Sequence, residues 1–497
     1  MRRTKILATV GPASDSPGRL VALIEAGVDG FRLNLSHGTP SEHRSMLRRI
    51  HAAAERAGQE VSVVADVPGP KIRIGDLAIS PITLRTGQRW VLDHDPRPGD
   101  GTRVRAELPS FSRAARRGDP VLLGDGNVAL VVRSAGSGSI ETVVTNGGTV
   151  SSRAGLFLPH GKLRVDAFGS ADRQKAEVAL AEGVDFLALS FVRGARDVLQ
   201  ARRWLDGRSS GRSVGLISKI ERAEALDAID EILRVSDGIM VARGDLGIEV
   251  PLERLALEQK RMVRRANVAG RFVIVATQML LSMLDSPRPT RAESTDVANA
   301  VLDGADAVML SEESAVGKYP IEAVQWLARI AEATEPAYDP RPLREERERS
   351  ADGEAERSVA AAAVQLAENV GALAIVTPTH SGRTARSVAA LRPSCPVLAL
   401  SGSAAVRHQL TLVRGVTSRA APEHSDLAGL SRAASRLVGA LSLPGSGPVV
   451  LTAGYPVEGR PTNLVTLVEP APPASARARR RSRRERPDPP PRPLPRG

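Results

Sequence analysis

The stretch VVADVPGPKIRIG, residues 63–75, runs from β-branched apolar residues into Asp66, Pro68, Gly69, Pro70, Lys71 and Arg73. Its first half reads as a buried strand, because a short apolar run bounded by Gly and Pro fits a parallel sheet. Its second half decides the fold. Most such runs in the first 320 or so residues lead into a helix-like segment, but here the helical period disappears from Pro68 to about Pro159. The segments QRWVLDH, DPVLLGDGNVALVVRS and SIETVVTNGG instead alternate and turn at Gly and Asp, as the strands of a small β domain do.

Outward from this exit, eight strands are predicted: TKILATV (4–10), VDGFRLNL (28–35), VSVVAD (61–66), VDFLALSF (184–191), VGLISK (214–219), SDGIMVA (236–242), FVIVAT (272–277) and DAVMLS (306–311). Between them, runs such as SEHRSMLRRIHAAAERAG and ERAEALDAIDEILRVS carry apolar residues at helical spacing, and several end on Gly. Eight βα units in succession predict a closed TIM (β/α)8 barrel. An open doubly wound sheet is the alternative, since periodicity does not show closure. The expected organisation is a barrel in two parts (1–67 and 160–335), an inserted β-barrel lid (68–159), a linker (336–354), a C-terminal α/β domain (355–470) and a tail (471–497). An insertion after a barrel strand emerges at the face where barrel active sites lie, so a lid is expected. In the last domain the strand candidates are ALAIVTPT, PVLALSG and PVVLTAG.

The 497 residues carry a net charge of +12, but nine arginines against Glu485 and Asp488 in the tail account for +7 of it. The remainder is only mildly basic, so nucleic-acid binding is not expected of the enzyme body. The tail, rich in Arg and Pro, cannot build a core and reads as a solvated extension. The lone Cys395 excludes an intrachain disulfide framework, and no run is long and apolar enough to span a bilayer. A cytoplasmic enzyme without a membrane partner is expected.

In a barrel, side chains just past the strands converge on one mouth. Here they are Arg32, Asn34, Ser36 and His37; Asp66, Lys71 and Arg73; Lys219 and Glu221; Arg243, Gly244 and Asp245; Thr277 and Gln278; Ser311 and Glu312. Glu221 and Asp245 could share a hard divalent cation, Mg2+ or Mn2+, that keeps waters for a phosphate to replace. Lys219 beside them suits negative charge developing on a phosphoryl group or an enolate. Arg32 and Arg73 offer the planar, permanent charge that matches phosphate oxygens. Each also has a plainer reading: RGDLG as a helix cap, Lys219 as a snorkelling surface lysine, His37 as a loop residue. Their joint position at strand ends favours phosphoryl transfer.

Longer stretches narrow the match: TKILATVGPAS, FRLNLSHG, ISKIE, SDGIMVARGDLGIEVP, ATQMLLSM, PRPTRAESTDVANAVLDGADAVMLSEESAVGKYP, and the late HSGRTA and GYPVEGRPTNLV. In this order they resemble the pyruvate kinase family over roughly residues 1–470. The resemblance implies a homotetramer that moves the phosphoryl group of phosphoenolpyruvate to ADP, giving ATP, and protonates the enolate to pyruvate. It implies Glu221 and Asp245 as magnesium ligands, Lys219 as the residue that stabilises the transferring group, and Arg32 on the phosphate. Gly244, Asp245 and Thr277 match the substrate's carboxylate site, and Asn34, His37 and Arg73 the nucleotide side. Thr277 and Ser311 are candidates for holding the water that delivers the proton, and Asp125 matches a lid acid. Thr379, Ser381 and Thr384 resemble an effector-phosphate loop of regulated, allosteric members, for a sugar phosphate or nucleotide, although a Ser/Gly turn needs no ligand.

The departures from the family's pattern are informative. SEES stands for the commoner Ser-Gly-Glu-Thr, adding Glu312 near the mouth. Many members carry Asp-Thr-Lys-Gly-Pro-Glu-Ile-Arg where this chain has Val67 for the threonine and Lys71 for the glutamate. In such members Asn, Ser, Asp and Thr oxygens hold potassium, here matched by Asn34, Ser36 and Asp66. Lys71 is therefore expected to replace potassium, and a potassium requirement is not. A catalytically silent sensor and an arginine-tail nucleic-acid binder are the competing functions.

Overall fold

The computed structural model describes residues 2–108, 110–124, 126–136, 138–159, 166–208, 213–349, 355–421, 426–441, 443–454 and 462–471. The chain divides into two compact units, Met1–Ser350 with Thr411–Gly415, and Ala351–Leu410 with Val416–Gly497.

The first unit is a closed barrel of eight strands: β1 (Lys5–Thr9), β2 (Gly30–Asn34), β3 (Ser62–Val67), β4 (Phe186–Leu189), β5 (Gly215–Ile220), β6 (Gly238–Ala242), β7 (Phe272–Ala276) and β8 (Ala307–Leu310). Each pairs in parallel with its sequence neighbour, and β1 closes on β8. Every expected strand is present, with ends within two residues. Every strand but β2, which is half-buried at Arg32 and Asn34, is buried along its whole length, because the ring encloses one face and helices cover the other.

Inside the ring, Phe186 and Phe272 meet edge to face at 5.3 Å. They fit only because the neighbouring strands offer glycine: a Cβ at Gly215 would lie 2.4 Å from the Phe186 ring, and one at Gly238 2.5 Å from Phe272. Leu412, from the segment Thr411–Gly415, completes this interior. Outside, helices such as Pro40–Ala57 and Arg291–Asp303 start on Thr caps with reciprocal glutamates and end on left-handed glycines. The run ERAEALDAIDEILRVS, read as one helix, forms two, Ala223–Asp227 and Ile229–Val235.

Between β3 and β4 lies the insert. Its six-stranded sheet, in the order Leu156–Phe157, Pro120–Leu123, Val128–Ala135, Ile140–Asn146, Arg89–Asp93, Arg103–Arg105, packs around Trp90 and Phe111. A second pair joins Ile82–Leu84 to Gly148–Val150. The stretch expected as a linker includes a helix, Arg341–Arg349, anchored where Arg347 donates to the carbonyls of Asn267 and Val268.

The second unit has a five-stranded sheet: β9 (Ala374–Pro378), β10 (Val397–Ser401), β11 (Val416–Ala420), β12 (Val449–Ala453) and β13 (Leu464–Val468). Its order is β11-β10-β9-β12-β13, parallel except for β13. Two of these, β11 and β13, were not expected as strands; both are edge strands whose half-exposed residues break the apolar run.

Candidate active site

The open ends of β3, β4 and β5 bring together a buried knot of charge. Lys219 Nζ lies 3.1 Å from Asp66 Oδ1 and 2.9 Å from Glu221 Oε1, and it donates to Ser190 Oγ at 2.7 Å. A lysine has three N–H donors, and each is engaged. Asp66, Lys219 and Glu221 are all less than 10% exposed, a depth at which unpaired charge is costly. Burial alone would raise Asp66, but Lys219 and Arg32 outweigh it and hold its carboxyl below the usual range. Burial alone would lower Lys219, but Asp66 and Glu221 raise it, so the ammonium stays charged.

Asp66 also fixes Arg32, whose Nε donates to Oδ2 at 2.7 Å while Nη1 reaches Thr9 Oγ1 at 3.2 Å. One carboxylate thus orients both cations. Beyond β2 the chain turns outward: Asn34 Oδ1 accepts the Ser36 amide at 3.1 Å, and the His37 carbonyl faces the His43 ring nitrogen at 2.7 Å. The His37 side chain is exposed.

Glu221 and Asp245 supply hard oxygen donors. Burial, together with like charge on Asp245 and Asp66, pushes Glu221 up despite Lys219. That donor set fits Mg2+ or Mn2+, which bind through few carboxylates and take phosphate and water for the rest. Among the described residues no cluster of three His, Cys, Asp or Glu forms a closed metal site.

After β7, Thr277 and Gln278 adopt φ of 71° and 53°. For a β-branched residue that conformation costs on the order of 1–3 kcal/mol, so the surroundings must impose it. Arg243 does so from β6, donating to the carbonyls of Ala276 at 3.2 Å and Thr277 at 2.6 Å while Asp296 grips its Nη1. Thr277 Oγ1 accepts the Gly244 amide at 2.9 Å and donates to the Ala276 carbonyl. The Gly244 N–H, expected to face a substrate carboxylate, is thus satisfied by Thr277. Ser311 Oγ is buried and has no hydrogen-bond partner among the described residues. Glu312, expected near the mouth, is exposed, and its neighbour Glu313 is the buried acid.

At the lid edge, Lys71 Nζ pairs with Asp245 Oδ1 at 3.0 Å and lies 5.6 Å from the centre of the Phe157 ring. Its charge is therefore directed at Asp245. Arg73 donates to the Arg153 carbonyl at 3.0 Å within the lid. Asp125 lies outside the described residues; next to it, a Cβ on Gly126 would come 3.7 Å from Ile248 of the helix Arg243–Glu249. A cavity of about 40 Å³, lined in part by Lys71, Phe157, Phe191, Arg193 and Arg222, lies between this edge and the mouth.

In the second unit, Thr379 Oγ1 accepts the Gly382 amide at 3.0 Å, and Thr384 Oγ1 meets Thr462 Oγ1 at 2.7 Å. Arg386 donates to the Ser381 carbonyl. The tail beyond Ala471 lies outside the described residues.

Two contributors escaped the sequence reading. Ser190 was absorbed into an apolar strand, although its place at the end of β4 could have shown it. Phe191, with φ of 56°, donates its amide to Glu221 Oε2 at 2.7 Å; no local pattern announces that.

Charge held in this way, at the open end of a parallel barrel and beneath an inserted β domain, is the equipment of a phosphotransferase. Family models agree: that of the pyruvate kinase barrel domain matches residues 1–324, and that of the pyruvate kinase alpha/beta domain residues 357–468. A pyruvate kinase of Agrobacterium vitis is 41% identical over 470 residues, covering 93% of this chain and 96% of its own length. One of Thermotoga maritima is 38% identical over 478 residues, covering 94% and 100%. The crystal structure of a pyruvate kinase from Cryptosporidium parvum superposes with a TM-score of 0.89 at 36% identity, covering 95% of this chain and 96% of that one. The chain belongs to the pyruvate kinase family. Among the described residues no helix is long and apolar enough to cross a membrane.

Proposed function

We propose that this chain transfers the phosphoryl group of phosphoenolpyruvate to ADP and protonates the resulting enolate to pyruvate, without needing a monovalent cation. The observation that carries the reading is the buried Lys219 ammonium, locked between Asp66, Glu221 and Ser190. Glu221 and Asp245 would hold Mg2+ or Mn2+, which supplies Lewis-acid stabilisation to the phosphoryl and enolate oxygens. Arg32, oriented by Asp66, binds the phosphoryl oxygens in a fixed plane. Lys219, its three N–H groups held by Asp66, Glu221 and Ser190, acts through its fixed positive charge beside the oxygen that gains charge as the P–O bond of the substrate breaks. Preorganisation accounts for its effect, because the ammonium is already desolvated and pinned. Thr277 fixes Gly244 and the substrate's carboxylate end, and with Ser311 holds the water whose proton reaches the enolate carbon. Asn34, His37 and Arg73 serve the nucleotide, with Asp125 closing from the lid.

Potassium independence is supported by Val67, which is fully buried and brings no oxygen, and by Lys71, which brings a tethered cation. Assembly as a homotetramer is supported by the resemblance and by Leu252 and Leu257, apolar side chains 72% and 63% exposed. Thr379, Ser381 and Thr384 would take the phosphate of a sugar phosphate or nucleotide. A coupled assay for pyruvate, run with potassium present or replaced by a bulky organic cation, tests the reading. Activity in both buffers supports it, and Lys71→Glu is expected to introduce a potassium requirement. No pyruvate in either buffer overturns it.

A further inference from the structure

Thr277 and Ser311 follow neighbouring strands, and holding one water between two hydroxyls requires their backbones to keep a fixed spacing. Glu313 joins those backbones. It lies in the short helix Glu312–Ala315 after β8 and is fully buried. Its Oε1 accepts the Leu280 amide at 3.0 Å, and its Oε2 accepts the Ser311 amide at 2.7 Å. Leu280 closes the same turn that Thr277 and Gln278 open with positive φ. Arg243 grips that turn at its other end, through the Thr277 carbonyl. The turn is therefore held at both ends, from β6 by a cation and from β8 by an anion.

The choice of residue is chemically narrow. An ionised carboxylate is a pure acceptor with two oxygens, so it can receive two N–H groups that arrive from different segments. A glutamine in the same place would aim an N–H2 group at one of those amides. Among the described residues no lysine or arginine forms an ion pair with Glu313, so the backbone amides are what meets its charge. A residue needed only to fill space here would not have to be an acid.

We propose that Glu313 is a positioning residue for the protonation step, setting the spacing of the Thr277 and Ser311 hydroxyls by bridging their backbones. The proposal rests on the reading of those two hydroxyls as the holders of the proton-delivering water. It goes beyond that reading by assigning the step's geometry to a buried acid that touches no substrate.

The test uses the full-length chain with Mg2+ and two readouts: turnover of phosphoenolpyruvate with ADP, and exchange of pyruvate methyl protons with deuterated solvent, followed by NMR. The exchange reports proton transfer at the carbon separately from phosphoryl transfer. In Glu313→Gln, exchange is expected to fall about 100-fold, the scale of an ångström's misplacement, with the KM for phosphoenolpyruvate changed less than about threefold. Glu313→Asp keeps the charge but cannot span both amides, and is expected to lose about tenfold. Exchange within about twofold of the parent in Glu313→Gln, or a raised KM with unchanged kcat, overturns the proposal. Should Glu313→Gln fail to fold by circular dichroism, the exchange rate of Glu313→Asp decides by the same criterion. Ser311→Ala and Thr277→Val separate the role of Glu313 from that of the two hydroxyls. If these slow exchange and the Glu313 variants do not, only the role of Glu313 fails; if none does, the water-holding reading fails as well.

Discussion

The mouth of the barrel and the loop Thr379–Thr384 in the second unit are both polar stretches that follow parallel strands, yet their polar atoms are satisfied differently. At the mouth, Lys219 bonds Asp66 and Ser190, which lie 153 and 29 residues away along the chain. In the loop, Thr379 bonds Gly382, three residues on, while Thr384 meets Thr462, a neutral partner 78 residues away. A turn and one hydroxyl pair explain the second pattern without any buried charge, because hydroxyls close turns locally. Nothing local explains the first. Bringing charges from three strands into a buried cluster costs desolvation that folding alone does not require, and a reaction does.

Substitutions can break this contrast, and the largest effect is expected at its centre. Lys219→Met should lower kcat by about 1000-fold or more while moving KM far less, measured in the coupled assay. Asp66→Asn should come next. It leaves Arg32 and Lys219 without their shared anion, and is expected to cost about 3–5 kcal/mol in urea unfolding as well as activity.

A third prediction concerns pH. Burial pushes the Glu249 carboxyl up to about 7, against the pull of Arg222, whose Nη1 lies 2.9 Å away. The folded chain therefore binds this proton more tightly than the unfolded chain, whose carboxyl titrates near 4.5. Its contribution to stability is full below the unfolded value and is lost as pH rises through about 7. Glu249→Gln should accordingly raise stability above that pH by on the order of 3 kcal/mol and change little in mild acid, as thermal melts at the two extremes will show. The smallest effect belongs to the loop. Thr379→Val removes one turn bond and should cost the second unit about 1 kcal/mol, read by hydrogen exchange within that unit.

The contrast also explains what could be read from the chain before its structure. The eight barrel strands were legible because each is a short, mostly apolar run, and Lys219, Glu221, Asp66 and Arg32 because charge within or just after such a run is conspicuous. Ser190 and Glu313 were not, since one hides at the end of an apolar strand and the other beside a similar acid. Their importance comes from partners distant in sequence. The break between Ala223–Asp227 and Ile229–Val235 left no Gly or Pro to mark it. Lys71 was legible as an unusual cation, but its partner Asp245, 174 residues away, was not.

The most direct test is pyruvate formation from phosphoenolpyruvate and ADP with Mg2+ at constant ionic strength, comparing potassium with an organic cation. Turnover in the two buffers is expected to be equal within about twofold, because the chain's own cations, Lys219, Arg32 and Lys71, line the mouth. Turnover that stays negligible until potassium is added would contradict it.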